Sequence, residues 1–186
     1  MLIFIKMRKE LYHEIEIPSG VEVRLEGDLL IVKGKEGENK KNLKLGIFDF
    51  RVEGNKIILG FKKATKNDKR LINTFKAHIE NMIKGVQNKF EYKVKICSGH
   101  FPFTVKHEGN QAIIKNFLGE KHDRKVKIPL GAEIQISKDI ITIKSVSKEI
   151  AGQAAANFET ITKIRGRDKR IFQDGIYIIE KDGRAI

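Results

Sequence analysis

The sequence predicts an α+β protein made of two tandem copies of one unit, each a small antiparallel sheet covered on one face by one helix. Three observations support this fold class. Short segments of alternating apolar and polar residues are separated by glycine and proline turns. Each half contains one segment with helical spacing, and the two halves resemble each other. We place the two domains at residues 1–88 and 89–186.

In the first half, residues 1–11 show no clear pattern and are interpreted as a leader. Residues 12–17 alternate as a strand does, and a hairpin follows over 21–33, with Gly27-Asp28 at its turn. Gly34–Gly37 is predicted to be a loop, and further short strands are expected around Leu43, over 48–52 and over 56–61. A helix follows, with Asn67 or Asp68 as its N-cap and Gly85 as its stop.

The second half repeats this order. Glu26–Gly34 resembles Glu108–Asn116 at a spacing of 82 residues, and Ala77–Glu80 resembles Ala156–Glu159 near the ends of the two helices. A second similarity, between Ile17-Pro18 and Ile128-Pro129, has a different spacing. We take the longer register as the duplication because it aligns helix with helix.

The second helix carries unusually small residues. Ser147 is its predicted N-cap, and its predicted apolar stripe consists of Ile150, Ala154, Phe158 and Ile161. The other small residues are Gly152, Ala155 and Ala156. They fit two interpretations, close packing on the sheet or close approach of an RNA backbone. In the second interpretation, Gln153 and Asn157 would supply hydrogen bonds to the RNA.

Composition restricts the classes of function. The 186 residues are 40% hydrophobic, so the chain can bury a core, and 37 Lys and Arg against 24 Asp and Glu give a net charge of +13. This excess favours a polyanion such as nucleic acid, although a solvated basic surface is the alternative. The single cysteine, Cys97, excludes an intrachain disulfide and fits a reducing compartment. No apolar run reaches the roughly 18–20 residues of a membrane span, so we expect a cytoplasmic protein.

The densest positive charge follows the second helix. Lys163–Arg170 contains five basic residues and one acid, Asp168. Arginine can hold a phosphate with two parallel hydrogen bonds. Phe172 and Tyr177 could stack on bases, but we favour their docking on the protein because a strand follows Asp174-Gly175. A second basic cluster, Lys121, Arg124, Lys125 and Lys127, fits RNA contact and a solvated strand edge equally well.

Signals of an enzyme are absent. The histidines are scattered without metal-ligand spacing, and no phosphate-binding loop or nucleophile elbow occurs. Cys97 lies in an apolar segment, which favours a small core residue over a nucleophile. We therefore expect no catalysis, cofactor or metal. An enzyme with its site at the seam between the two units, and an RNA-binding regulator, stay as rival hypotheses.

Several motifs together resemble the L-six family of large-subunit ribosomal proteins, in its archaeal and eukaryotic branch. The residues that carry the resemblance are Val21-Glu-Val23, Lys33-Gly34, Gly37-Glu38, Thr74–Ile79, Met82–Val86, Ser98–Pro102, Asn116–Glu120, Gly152–Asn157 and Arg170–Tyr177. The resemblance covers nearly the whole chain and implies two tandem copies of one α/β unit.

The resemblance further implies a structural constituent of the large ribosomal subunit. It implies binding to large-subunit rRNA near the stalk base and the elongation-factor site, beside neighbouring large-subunit proteins. In this family the second domain and the C-terminal tail carry most RNA contact. The corresponding residues here are Gln153, Asn157, Lys163, Arg165, Arg167, Lys169 and Arg170. We add Lys148 and His100 to the predicted site.

Overall fold

The computed structural model describes residues 9–43 and 48–186. The chain divides between Asn88 and Lys89 into two units, which we call unit 1 and unit 2. Residues 1–8 of the predicted leader lie outside the described residues, and the first strand already begins at Lys9. No helix in the described ranges has the length and apolar character needed to cross a membrane.

The described part of unit 1 contains six strands followed by one helix. The strands are β1 (Lys9–Glu16), β2 (Glu22–Glu26), β3 (Leu29–Gly34), β4 (Gly37–Asn42), β5 (Asp49–Glu53) and β6 (Lys56–Ala64), and the helix is α1 (Lys66–Gln87). They form two antiparallel sheets, with the strand orders β1-β6-β5 and β2-β3-β4. Helix α1 packs against strands of both sheets.

Strand β4 was not predicted, since the sequence indicated a loop over Gly34–Gly37 and a strand only around Leu43. The structure pairs Gly34 with Gly37 and continues the ladder to Leu29 and Asn42. Only Lys35 and Glu36 remain as the hairpin turn. The strand was missed because its side chains are all polar, so it lacks the apolar alternation by which strands are recognised.

Helix α1 begins one residue after Thr65, which is its N-cap, rather than at Asn67 or Asp68. The Asp68 carboxylate accepts the Thr65 N–H at 2.8 Å, and the Asp68 N–H donates to Thr65 Oγ1 at 3.3 Å. This reciprocal capping box satisfies two of the backbone donors at the start of the helix. The predicted stop at Gly85 is also wrong, because the helix continues to Gln87 with Gly85 buried.

Unit 2 contains eight strands and one α-helix. In chain order they are β7 (Phe90–Cys97), β8 (Thr104–Glu108), β9 (Gln111–Lys115), β10 (Arg124–Lys127), β11 (Glu133–Ser137), β12 (Ile140–Ser145), α2 (Lys148–Ile161), β13 (Gly175–Lys181) and β14 (Arg184–Ala185). One antiparallel sheet has the order β11-β12-β7-β13-β14, and the other has the order β10-β9-β8.

The predicted α+β class and the tandem repeat are confirmed. Strand order β1-β6-β5 corresponds to β7-β12-β11, and β2-β3-β4 corresponds to β8-β9-β10. Ile17-Pro18 follows β1 whereas Ile128-Pro129 follows β10, so the longer register was the correct choice. Two features differ from expectation. The described part of each unit has two small sheets instead of one, and unit 2 adds β13 and β14 beside β7.

Helix α2 closes the core of unit 2 through small side chains. Its buried residues are Ala151, Ala154, Ala155 and Phe158. The predicted stripe is therefore shifted, since Ile150 and Ile161 are only half-buried and Ala151 and Ala155 take part. Ser147 is the N-cap residue, but its side chain makes no capping hydrogen bond. Cys97, expected in the core, is half-buried at the end of β7.

Candidate nucleic-acid interface

The link between α2 and β13, residues 162–174, contains the predicted basic arm, Lys163–Arg170. Its first end is fixed by Thr162, which is 3% exposed. The Thr162 hydroxyl donates to the Phe158 carbonyl at 3.0 Å and accepts the Ile176 N–H at 2.9 Å. Ile164, 7% exposed, anchors the next turn of the chain in the core. The arm thus leaves the helix from a position tied to strand β13.

The other end of the link is fixed by Asp174, whose residue is 1% exposed. Its carboxylate accepts the backbone N–H of Gly99 at 2.8 Å, of His100 at 3.1 Å and of Phe101 at 3.1 Å. Burial raises the pKa of Asp174, but the hydrogen bonds from Phe101, Gly99 and His100 outweigh it and lower the pKa to about 2. A buried carboxylate with several donors stays charged and holds the loop after β7 against the arm.

Aromatic contacts continue from this anchor to the arm. His100 Nδ1 lies 3.2 Å from Asp174 Oδ1, and the His100 ring centroid lies 5.0 Å from that of Phe172. The Arg167 guanidinium lies 4.9 Å from the Phe172 centroid, a cation–π distance. Phe172 therefore docks on the protein. His100 packs against Phe172 in this stack, although the His100 side chain is 41% exposed.

The basic residues of the arm all lie on the surface. Lys163, Arg165, Arg167, Lys169 and Arg170 are exposed. Arg170 is held by Asp168, with its Nη2 2.8 Å from Oδ2. Within the described ranges, no hydrogen bond or ion pair joins the other four to a carboxylate. Four cations on a link fixed at both ends can bind phosphates with little ordering cost.

The predicted site residues on helix α2 contact other parts of unit 2 and not the arm. Gln153 donates to the Asn157 Oδ1 at 2.7 Å, and Asn157 donates to the Lys127 carbonyl of β10 at 2.9 Å. The pair therefore ties α2 to β10. Lys148 is exposed, with its Nζ 5.6 Å from the Phe90 ring centroid. It lies at the opposite end of α2 from the arm, about 20 Å away by helical rise.

The second basic cluster is partly neutralised within unit 2. Arg124 donates two hydrogen bonds to the Glu120 carboxylate and one to the Ile161 carbonyl. Its guanidinium also lies 4.3 Å from the Phe117 centroid. The hydrogen bond from Arg124 lowers the pKa of Glu120 despite the opposing effect of burial. Lys121, Lys125 and Lys127 are exposed, and β10 is an edge strand paired with β9.

Three shallow grooves border the arm. One of about 380 Å³ runs between the end of α2 and Tyr177. A second of about 500 Å³ is lined by Arg124, Arg165 and Arg167, among others. The third, of about 900 Å³, extends from Lys169 to the loop that contains His100. The arm is therefore a basic ridge between concave surfaces.

Sequence reasoning identified the exposed cations of the arm but missed the residues that hold them. Asp174 was taken as part of a turn, and Thr162 was not singled out. The only sequence feature that could have indicated these two anchors was the presence of a small polar residue on each side of the basic segment. Their partners lie up to 75 residues away, which local patterns do not reveal.

Comparison with known proteins identifies the family of the chain. The family model described as ribosomal protein L6 matches residues 17–89 and 101–175, one match in each unit. Large ribosomal subunit protein uL6 of Methanococcus vannielii is 42% identical over 173 residues, covering 93% of this chain and 95% of that protein. The protein of the same name from Methanobrevibacter smithii is 46% identical over 169 residues, covering 91% and 95%. The chain therefore belongs to the ribosomal protein L6 family.

Proposed function

We propose that the chain is a structural constituent of the large ribosomal subunit that binds large-subunit rRNA through the basic arm of unit 2. The observation that carries this proposal is the ridge of four exposed cations, Lys163, Arg165, Arg167 and Lys169, fixed at both ends between grooves. The relatives, both named large ribosomal subunit protein uL6, support the assignment to that subunit.

The mechanism is electrostatic and geometric, without catalysis. Each cation neutralises an RNA phosphate and releases counterions, which makes binding favourable and dependent on salt. Thr162 and Asp174 fix the two ends of the link in advance, so less conformational entropy is lost on binding. The protein would thereby hold converging rRNA segments at a set angle.

The position within the ribosome is part of the proposal. We place the protein in cytoplasmic ribosomes, near the stalk base and the elongation-factor site, with neighbouring large-subunit proteins as further partners. The support is the family membership together with the motifs quoted above. Mass-spectrometric identification of proteins cross-linked to it in purified large subunits tests this placement. Cross-links confined to proteins distant from the stalk would contradict it.

The RNA-binding arm is tested by charge reversal. If about six cations contact phosphates, log K should fall against log salt with a slope of about −4 to −5. The double change Arg165→Glu and Arg167→Glu should weaken binding to large-subunit rRNA and reduce the steepness of that slope by about 2. Filter binding over a salt series measures both quantities.

The matched control reverses two exposed arginines outside the arm. Arg51 lies on β5 and Arg70 lies on α1, both in unit 1. Arg51→Glu with Arg70→Glu produces the same change in net charge and should retain both the affinity and the slope more closely. Equal losses in the two double variants would show a diffuse charge effect and remove the arm from the site.

A further inference from the structure

The groove between the end of α2 and Tyr177 has a composition that the phosphate-binding ridge does not explain. Its volume is about 380 Å³, within the range of small-ligand sites. Lys163 and Lys169 line it together with Glu159, Ile164 and Tyr177. A groove that only follows a phosphate chain needs neither an aromatic ring nor a carboxylate.

Tyr177 presents a rigid aromatic surface to this groove. Its residue is 40% exposed, whereas the preceding Ile176 is fully buried. The ring lies over Gly175, where a Cβ would lie 3.1 Å from two ring carbons of Tyr177 and from its hydroxyl oxygen. The Tyr177 hydroxyl donates to the Gln173 carbonyl at 3.1 Å. Gly175 thus packs against one side of the Tyr177 ring, and the hydrogen bond to Gln173 fixes the hydroxyl. The exposed part of the ring faces the groove and solvent.

Phe172 also lines the groove but is already occupied. The His100 ring and the Arg167 guanidinium lie at 5.0 and 4.9 Å from its centroid. It therefore forms a wall, and Tyr177 is the ring in this groove that can accept a stacking partner. The exposed aromatic surface of a protein that binds RNA is suited to an unstacked base.

The charges orient such a ligand. Lys163 and Lys169 have no carboxylate partner in the part of the chain that the structure describes, so they can receive phosphate oxygens. Glu159 would repel a phosphate but can accept hydrogen bonds from the N–H groups of a base edge. The groove therefore suits a flat group with donors at one end and negative charge at the other.

We propose that this groove takes one unstacked nucleotide of the bound RNA, with its base on the Tyr177 ring and its phosphates beside Lys163 and Lys169. This inference rests on the proposed function, because it names a subsite of the same RNA interface. It adds a base contact to a surface otherwise explained by phosphate contacts alone.

The test compares Tyr177→Ala, Tyr177→Phe and the control Tyr12→Ala in binding to refolded large-subunit rRNA. Tyr12 is a close match, since it is 42% exposed and its ring also lies against a glycine, Gly60 of unit 1. We expect Tyr177→Ala to weaken binding by about 5- to 100-fold, the effect of losing one stacked base. Tyr177→Phe and Tyr12→Ala should stay within about twofold, because stacking needs only the ring.

A second readout is independent of whether Tyr177→Ala folds. The chain has three tyrosines and no tryptophan, so its tyrosine emission can be followed directly. The emission of Tyr177 is the difference between the emission of the wild type and that of Tyr177→Phe. RNA should quench this part of the emission. Short-wave ultraviolet light should also cross-link Tyr177 to one nucleotide of the bound RNA.

The outcomes separate the two proposals. If the wild type binds rRNA but neither quenching nor a cross-link involves Tyr177, the nucleotide subsite is wrong and the phosphate-binding arm stands. Equal weakening by Tyr177→Ala and Tyr12→Ala would also overturn the subsite, since it would indicate a general packing effect. If the wild type fails to bind rRNA at low salt, both the subsite and the proposed function are wrong.

Discussion

At the residue scale, the presentation of the arm depends on Asp174. Its side chain is fully buried and accepts hydrogen bonds from three consecutive backbone N–H groups of the loop after β7. In the sequence, Asp174-Gly175 looks like an ordinary turn before a strand. Its role could not be predicted because the partners are distant in the chain, and hydrogen bonds to backbone groups leave no trace in residue types.

The low pKa of Asp174 gives a pH-dependent stability. Its folded pKa of about 2 lies below the ordinary value of 3.8, so the stabilisation is complete above about pH 4 and is lost as the pH falls through 2. The shift corresponds to about 2 kcal/mol. Between pH 5 and pH 2, the wild type should lose about 2 kcal/mol more free energy of unfolding than Asp174→Asn.

Urea unfolding at a series of pH values measures this difference. Asp123→Asn is a suitable control, because Asp123 is exposed and its carboxylate Oδ2 lies 3.7 Å from the Nζ of Lys115 in an exposed ion pair. The free energy of unfolding of Asp123→Asn should change with pH in the same way as that of the wild type. Parallel pH profiles for the wild type and Asp174→Asn would contradict the assigned role of the buried carboxylate.

At the element scale, the helices show what local patterns can predict. The apolar spacing of α1 is a local signal, so the helix itself was predicted, whereas its ends were misplaced by up to three residues. The capping box shows why: Asp68 does belong to the cap, but as the third helical residue that binds back to Thr65. Gly85 did not end the helix because its site lies within the packed face of α1.

Two glycines with different surroundings test the packing of the elements. A Cβ at Gly152 of α2 would lie 3.7 Å from the Tyr92 hydroxyl, an ordinary contact. A Cβ at Gly34 of β3 would lie 2.8 Å from the Val86 carbonyl oxygen. We expect Gly152→Ala to stabilise the protein by up to about 1 kcal/mol through helix propensity. Gly34→Ala should destabilise it by about 1–3 kcal/mol through overpacking.

Thermal unfolding tests both predictions: the melting temperature should rise in Gly152→Ala and fall in Gly34→Ala. Gly152 faces the Tyr92 side chain of the sheet, which supports the packing interpretation of the small residues in α2 over the approach of an RNA backbone. Gly152→Ala should therefore also keep its affinity for rRNA. A lower melting temperature for Gly152→Ala, or a tenfold loss of RNA affinity, would favour the other interpretation.

At the scale of the whole molecule, the duplication was predictable because it repeats in order along the chain. The division of each unit into two sheets was not, since strand pairing depends on contacts between distant segments. The same applies to β13, which was predicted as a strand but whose place beside β7 was not. The exposed cations of the arm were predicted from charge density, whereas Lys148 lies apart from them over Phe90.

We expect cations of the arm to hold the chain in the large ribosomal subunit. The most direct test of this expectation is sedimentation of extract from the native host on sucrose gradients, at low and then high salt, with the protein detected by antibody. The protein should travel with the large subunit and remain there into fairly high salt, because several phosphate contacts must be released together. Protein found only at the top of the gradient at low salt would contradict it.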